Sequence, residues 1–430
     1  MNWSRYNEFV QGEDKIHSLF NCRTRKWLYL APELYLFLLE NINNTSAIKR
    51  SHPSLYKVLV DNKFIVDSIE SEISECITEI ETRLNSPEIL KLTVNPTLDC
   101  NLRCWYCYEQ HLHGSCMSEN VINAISKFIF RSLKQSKYEK LQLAFFGGEP
   151  LMKFDKVIIP LLKEVKNVCD NYNVELAVSF TTNGVLLNNR IRTAIMNITS
   201  NVAVQIPFDG DAENHNDIKK FSNGKGSYEI VIKNAKEAIT EGFRVTIRCN
   251  VTKTNIISFK NLIKDFEAFL FFPNVRFSFH KIWQESDDDV FNIGVSELKR
   301  EISSISFKSN INSYFGDSIN PCYGDYADNY VINYNGDVFK CTARDFKTKN
   351  RIGILKDSGE ISFNSAALVR VKKSFTSDCP TCRRLPFCPI CSQVRFESKD
   401  GKCPVKITPE EISLNINQLY LDLINQRNEI

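Results

Sequence analysis

The sequence predicts an α/β fold: a partial (β/α)6 barrel, preceded by a small winged-helix-like module and followed by a cysteine-rich segment. Three observations lead there. Six apolar, strand-like runs alternate with helical stretches through the middle of the chain. The first 85 residues read strand–strand–helix–helix–strand. Beyond residue 305 the periodicity fades, and seven cysteines appear among Gly, Pro and Asp. With 430 residues, the chain is long enough for about three domains at roughly 150 residues each. The expected boundaries are 1–85, 86–305 and 306–430.

In the first module, residues 15–20 and 26–30 are expected strands around a polar turn. Pro32 opens a helix over 32–39, in keeping with the preference for proline in a first helical turn. A helix over 53–60, a short strand over 64–66 and a linking helix over 70–84 follow. In the middle segment, strands are expected at 89–94, 141–146, 174–180, 202–206, 244–250 and 275–279. Val121, Ile125, Phe128, Ile129 and Leu133 mark one intervening helix. Tyr228, Val231, Ile232, Ala235 and Ile239 mark another, which Gly242 ends as a C-cap. Strands alternating with helices imply parallel strands with crossover helices, in an open or closed barrel. A last helix is expected over 409–427.

Lys+Arg total 54 and Asp+Glu 51, a net charge of +3, so charge gives no reason to expect a nucleic-acid partner. No apolar run approaches the roughly 18–20 residues of a membrane span. The first residues lack the basic start and apolar core of a signal peptide. A cytoplasmic protein with no membrane partner is therefore expected.

The chain has 15 cysteines. Cys22, Cys76, Cys169 and Cys249 sit singly among apolar neighbours and read as packing residues. Directly after the 89–94 strand come Cys100, Cys104 and Cys107, spaced C-x3-C-x2-C. Three thiolates on one loop suit a soft metal. A [4Fe–4S] cluster takes four thiolates, so three would leave one iron open to an exchangeable ligand. The alternatives are a structural zinc with a distant fourth ligand, or cysteines with no metal at all.

Cys100-x3-Cys104-Trp105-Tyr106-Cys107, with an aromatic just before the third cysteine, resembles the signature of radical S-adenosylmethionine (radical SAM) enzymes. The resemblance implies a [4Fe–4S] cluster on Cys100, Cys104 and Cys107. Its open iron would chelate S-adenosylmethionine, whose cleavage yields a 5′-deoxyadenosyl radical. Further segments are similar to family motifs. Gly147-Gly148-Glu149-Pro150 resembles the segment that holds the methionyl amino group. Glycines allow close backbone approach, and a carboxylate can accept from an ammonium. Thr181-Thr182-Asn183-Gly184 is similar to a second family turn. Phe208-Asp209-Gly210 is similar to a segment bordering the cofactor ribose, with Pro207 where a serine is usual. Arg248-Cys249-Asn250 matches a pattern that faces the cofactor. The cofactor-contacting residues so implied are Tyr106, Gly147, Gly148, Glu149, Pro150, Asn183, Asp209 and Arg248.

Past residue 320 come Cys322, Gly336-x4-Cys341, Cys379-x2-Cys382-x5-Cys388-x2-Cys391 and Cys403. Paired C-x2-C spacings alone would suit zinc. The arrangement resembles the SPASM domain, a C-terminal extension of some radical SAM enzymes that carries two auxiliary [4Fe–4S] clusters. It departs from that pattern in the x2 spacing before Cys391 and the short gap before Cys403. By position, Cys322, Cys341 and Cys391 would hold the first auxiliary cluster, with Asp325 and Asp328 nearby as candidate ligands. Cys379, Cys382, Cys388 and Cys403 would hold the second, giving three clusters in all.

The resemblance implies a peptide maturase that crosslinks a ribosomally made precursor through a thioether or carbon–carbon bond. The first module is similar to domains that capture a precursor's leader peptide as an added strand. An electron donor such as flavodoxin or ferredoxin is implied. The alternatives are a sulfatase-maturase-like, formylglycine-forming enzyme, a small-molecule radical SAM dehydrogenase and a non-catalytic binding protein. Thr342 stands where sulfatase maturases carry an aspartate after the cysteine matching Cys341. No catalytic base can be named from the sequence, although Tyr108, Glu109 and His111 lie near the first cysteines.

Overall fold

The computed structural model describes the chain apart from residues 12–16, 87, 110, 136–137, 286–321, 366, 368–374, 389, 399–401, 405–407 and 428–430. The boundary expected at 305 lies outside the described residues. The chain divides into two compact units. One comprises Met1–Ser86, Ser313–Ala327 and Val371–Ile430, and the other Pro87–Asn312 and Asp328–Arg370. This division differs from three consecutive segments, because the N-terminal module and most of the late cysteines share a unit.

The reason lies in the sheet of the first unit. Its N-terminal elements are β1 (Asn2–Trp3), β2 (Asn7–Gln11), β3 (His17–Asn21), β4 (Lys26–Leu30), α1 (Pro32–Asn41), α2 (Thr45–Ser51), α3 (Pro53–Asp61), β5 (Ile65–Val66) and α4 (Ile69–Leu84). Strands β2, β3 and β4 form an antiparallel sheet in that order, and β1 pairs with β5. Successive side chains of a strand point to opposite faces. On β3, Leu19 enters a cluster with Leu38, Ile48, Leu59 and Phe64, beneath α1–α3. Its neighbour Phe20 enters a second cluster with Cys76 and Ile80 of α4 and with Leu385, Phe387, Ile416 and Tyr420. A sheet apolar on both faces needs two covering layers, and residues 379–424 supply part of the second. Strands β1 and β2 and helix α2 extend the expected pattern, while the remaining elements lie close to their expected positions. Pro32 occupies the first turn of α1, and the Ser68 hydroxyl caps α4 at the Ser71 N–H, 3.0 Å away.

The second unit contains β6 (Ile89–Val94), α5 (Glu119–Gln135), β7 (Lys140–Phe145), α6 (Ile159–Tyr172), β8 (Glu175–Thr181), α7 (Asn189–Met196), β9 (Val202–Phe208), α8 (Ala212–Ile218), α9 (Tyr228–Thr240), β10 (Arg244–Val251), α10 (Phe259–Asp265) and β11 (Val275–Lys281). All six expected strands form. They are parallel and pair in chain order, β6 through β11. Among the described residues β11 pairs only with β10, so the barrel is open. The free side of β6 takes a parallel strand, β12 (Asn329–Ile332). Antiparallel β13 (Asp337–Phe339), β14 (Gly353–Leu355) and β15 (Ile361–Phe363) then extend the sheet to ten strands.

Alternation explains which face does what. On β6 and β7, Leu90, Leu92, Val94, Leu141, Leu143 and Phe145 are buried, and their neighbours are half-buried. Helix α5 buries Ile122, Ile125, Ile129 and Leu133, the spacing of one helical stripe. Each such side chain contributes about 1.5–3 kcal/mol by leaving water. Helix α9 stops at Gly242, whose φ of +91° suits glycine at a helix C-terminus. The opposite face carries Thr181, Gln205, Pro207, Arg248 and Asn250, which line a cavity instead of a core. Among the described residues no helix is long and apolar enough to cross a membrane.

Candidate functional site

The cavity, about 180 Å³ in volume, opens at the C-terminal ends of the parallel strands. Active sites of α/β barrels lie at that end. The loop leaving β6 carries Cys100, Cys104 and Cys107, and all three line the cavity. That loop is tightly braced. The Thr97 carbonyl accepts from the Gly148 N–H at 3.1 Å, and the Asp99 carbonyl accepts from the Glu149 N–H at 2.8 Å. The Asp99 carboxylate accepts from the Cys100 and Gly114 N–H groups, both at 2.9 Å, and lies 3.1 Å from His113. Burial alone would raise the Asp99 carboxyl, but these partners hold it below its ordinary value.

Burial pushes up all three thiols, Cys100 to about 12. Neutral thiols are poor metal ligands, so iron binding would have to displace their protons. Among the described residues no three His, Cys, Asp or Glu side chains converge as they would around a single ion. A four-iron cluster is larger than an ion and asks its sulfurs to stand further apart. Three thiols around one cavity, each within electrostatic reach of the others, fit that demand.

Gly147 and Gly148 line the cavity, and their need for glycine comes from the cysteine loop. A Cβ at Gly147, where φ is +111°, would collide with the Thr97 carbonyl oxygen. A Cβ at Gly148 would collide with that of Asp99. Glu149 lies behind them, wholly buried. Its carboxylate accepts from the Leu151 N–H at 3.0 Å, the Thr182 hydroxyl at 2.8 Å and the Asn183 N–H at 2.7 Å. Burial still pushes its carboxyl up to about 7. Pro150 is buried and opens a short 3-10 turn. Asn183 lines the cavity and donates to Asn101 at 2.7 Å, with the Cys100 sulfur 3.9 Å away.

Tyr106, the aromatic of the cysteine motif, is anchored from three sides. Its hydroxyl donates to Asp209 at 2.6 Å and accepts from Asn250 at 2.9 Å and from Lys219 at 2.5 Å. Asp209 is wholly buried, turned from the cavity toward the Lys219 ammonium at 2.6 Å. Arg248 lines the cavity and donates from Nε to Asn250 at 3.0 Å. Of the expected contact residues, Tyr106, Gly147, Gly148, Asn183 and Arg248 face the cavity, and Glu149, Pro150 and Asp209 support it from behind.

Sequence reasoning missed Lys219. It follows α8 beside Lys220 and reads as part of a solvated charged pair. It is 2% exposed and lines the cavity. Burial would lower its pKa, but Asp209, Tyr106 and Cys104 raise it well above the ordinary lysine value, so the ammonium stays charged. Nearby, Tyr108 stacks on Trp283 with ring centroids 5.5 Å apart, and His111 Nε2 lies 3.4 Å from the Cys107 sulfur. Burial lifts the Glu109 carboxyl to about 8, and its Oε1 has no partner among the described residues.

The later cysteines divide between the units. In the first unit the Cys322 and Cys391 thiols hydrogen-bond one another, raising Cys322 and lowering Cys391. Asp325, a candidate ligand, is buried and accepts from the Ser392 N–H at 2.9 Å. The Asp328 carbonyl, in the second unit, accepts from the Lys91 N–H at 2.8 Å. Cys341 also belongs to the second unit. Cys379, Cys388 and Cys403 all lie within electrostatic reach of Cys382, in the first unit. Arg395 approaches the Cys388 sulfur at 3.4 Å, and the Thr376 N–H donates to the Cys379 sulfur at 3.3 Å.

Residues 94–271, from the end of β6 through α10, match the Radical SAM superfamily. The chain carries a radical SAM domain. The radical SAM cyclopropyl synthase TigE of Paramaledivibacter caminithermalis is 26% identical over 225 residues, 47% of this chain and 45% of that protein. The first curated relatives are matched over 40–58% of their own length. The native anSMEcpe structure with bound AdoMet and Kp18Cys peptide superposes with a TM-score of 0.59 at 20% identity. That match covers 80% of this chain and all of that one. Streptococcus suis SuiB superposes with a TM-score of 0.51 at 16% identity, covering 93% of this chain and 98% of that one. The chain thus shares its fold with these two proteins, and the SuiB match extends over nearly its whole length.

Proposed function

We propose that this protein is a peptide maturase that forms a thioether or carbon–carbon crosslink in a ribosomally made precursor. The observation that carries the reading is the cavity itself. Three thiols of one loop stand around it, and glycine backbone and polar strand ends supply the remaining wall. When bound, a [4Fe–4S] cluster on Cys100, Cys104 and Cys107 and S-adenosylmethionine supply the 5′-deoxyadenosyl radical that abstracts hydrogen. Gly147, Gly148, Asn183 and Arg248 offer polar contacts to the cofactor. Tyr106 and Glu149 hold the cysteine loop and strand ends in place.

Crosslinking removes two hydrogens from the peptide. With one lost as an atom and the other as a proton, one electron is left over, and an auxiliary cluster, when bound, would supply its acceptor. Cys379, Cys382, Cys388 and Cys403 would hold one such cluster, and Cys322, Cys341 and Cys391 another. An external donor such as flavodoxin or ferredoxin would supply electrons in the cytoplasm. Trp105, Tyr108 and Trp283, near the cysteines and well exposed, suit an extended peptide lying across the opening. The β2-β3-β4 sheet has outer strands that could take a leader peptide as an added strand. Thr342, in place of an aspartate, weighs against formylglycine formation.

The test is iron, sulfide and zinc content of anaerobically prepared protein, beside a variant lacking Cys100, Cys104 and Cys107. About twelve irons per chain, falling to about eight in the variant, are expected for three cubane clusters. About four irons with one zinc would remove the auxiliary electron acceptors and the maturase reading with them. Cys104→Ala should also abolish 5′-deoxyadenosine production while leaving the fold intact.

A further inference from the structure

Lys219 is a buried cation whose three N–H bonds each have a destination. One reaches Asp209 at 2.6 Å, one the Tyr106 hydroxyl at 2.5 Å, and the third points toward the Cys104 sulfur at 3.9 Å. The backbone at its base is fixed as well. Its backbone N–H donates to the His215 carbonyl at 2.7 Å, at the end of α8, and its carbonyl accepts from the Ser227 hydroxyl at 2.6 Å. The Ser227 hydroxyl lies 3.2 Å from His215 Nε2, which fixes the turn from a third side. The ammonium also sits 5.0 Å from the Tyr106 ring centroid. With two protons taken by Asp209 and Tyr106, it has little left to offer a substrate. What remains is a fixed positive charge against one cysteine.

We propose that Lys219 is a positioning residue for the cluster, acting through Cys104. It biases the cluster held by Cys100, Cys104 and Cys107 toward its reduced form and fixes the motif aromatic, Tyr106. This rests on the cluster reading given above. Asp209 offsets part of the charge, but its carboxylate is bonded to Lys219 and Tyr106, and the ammonium is the group that reaches the Cys104 sulfur, at 3.9 Å. A positive charge in a water-poor site stabilises whichever state carries more negative charge, and the reduced cluster carries one more electron. A lysine in this place therefore eases electron entry, while tuning neither substrate fit nor the proton inventory of the cavity.

The experiment uses anaerobically reconstituted full-length protein as wild type, Lys219→Met and Lys219→Arg. Redox titration is followed by electron paramagnetic resonance. The first cluster's signal is the one that the variant lacking Cys100, Cys104 and Cys107 does not show. Lys219→Met is expected to shift that midpoint to more negative potential at unchanged iron content, and Lys219→Arg to return it toward wild type. If Lys219→Met loads no iron, Lys219→Gln, neutral but able to bond Asp209 and Tyr106, is read in its place with the same expectation. A midpoint unchanged in the neutral variant, or shifted equally by Lys219→Arg, overturns the proposal and leaves the cluster reading standing. Wild-type protein with no signal that the triple variant loses overturns both.

Discussion

The Glu149 carboxylate accepts the backbone N–H of Asn183 at 2.7 Å, tying the end of β7 to the end of β8 beneath the cysteine loop. With the Thr182 hydroxyl and Leu151 N–H also donating, all three of these partners are donors. Glu149→Gln must turn an NH2 group toward at least one of them. A cost of about 1–3 kcal/mol is expected, measured by urea unfolding of the full chain before iron loading. The difference should depend on pH. Burial raises the folded carboxyl from 4.5 to about 7, so between those values the folded state holds a proton that the unfolded state has released. The stabilisation from that proton is complete below about 4.5 and is lost as pH rises through about 7. Wild type should therefore exceed Glu149→Gln by more at pH 5 than at pH 7.5. An equal gap at both pH values would mean that burial does not govern this acid.

Gly147→Ala drives a methyl group into the Thr97 carbonyl oxygen, which already accepts the Gly148 N–H. Neither backbone can yield without moving the cysteine loop. A loss of about 1–3 kcal/mol is expected, together with fewer irons per chain. Gly114→Ala is the control. It too has a positive φ, +72° against +111° at Gly147, but open space surrounds its would-be Cβ, so it should cost about 1 kcal/mol and leave iron content unchanged. Equal iron loss in both variants would place the need for glycine in backbone conformation and not in close approach.

Removing residues 1–85 should cost the protein far more than a binding site. Leu385, Phe387, Ile416 and Tyr420 pack in one cluster with Tyr6 and Phe20. Uncovering four such side chains forfeits on the order of 6–12 kcal/mol at about 1.5–3 kcal/mol each, as much as a whole domain's stability. The truncated chain should aggregate or lose its cooperative unfolding transition. Recovery of a soluble truncation with the full-length melting temperature would contradict the shared core.

The six parallel strands were legible because each is a run of apolar residues bounded by turn residues, and burial on the helix side demands that pattern. Strand β2 was less so: in Asn7–Gln11 only Phe9 and Val10 are apolar, and pairing with β3 decides its conformation. Helix α2 buries a single residue, Ile48, too little for a period to register. The cysteines and glycines of the site announced themselves through spacing, since a loop ligand set is local in sequence. Lys219 did not, because its burial depends on Asp209 and Tyr106, 10 and 113 positions away. The shared core of residues 1–86 and 371–430 was half visible. Leu19 and Phe20 are adjacent apolar residues on one strand, which already means that both faces of the sheet are covered.

That shared core also bears on how the protein is made. Residues 1–86 emerge from the ribosome early, with one face of their sheet already closed by α1–α3. The partner of the other face emerges 285 positions later, residue 86 to residue 371. At 5–20 residues per second the open face waits roughly 15–60 s. Throughout that interval Phe20 and Tyr6 have only α4 to cover them on a nascent chain, so a holding chaperone becomes part of what this sequence requires in order to mature.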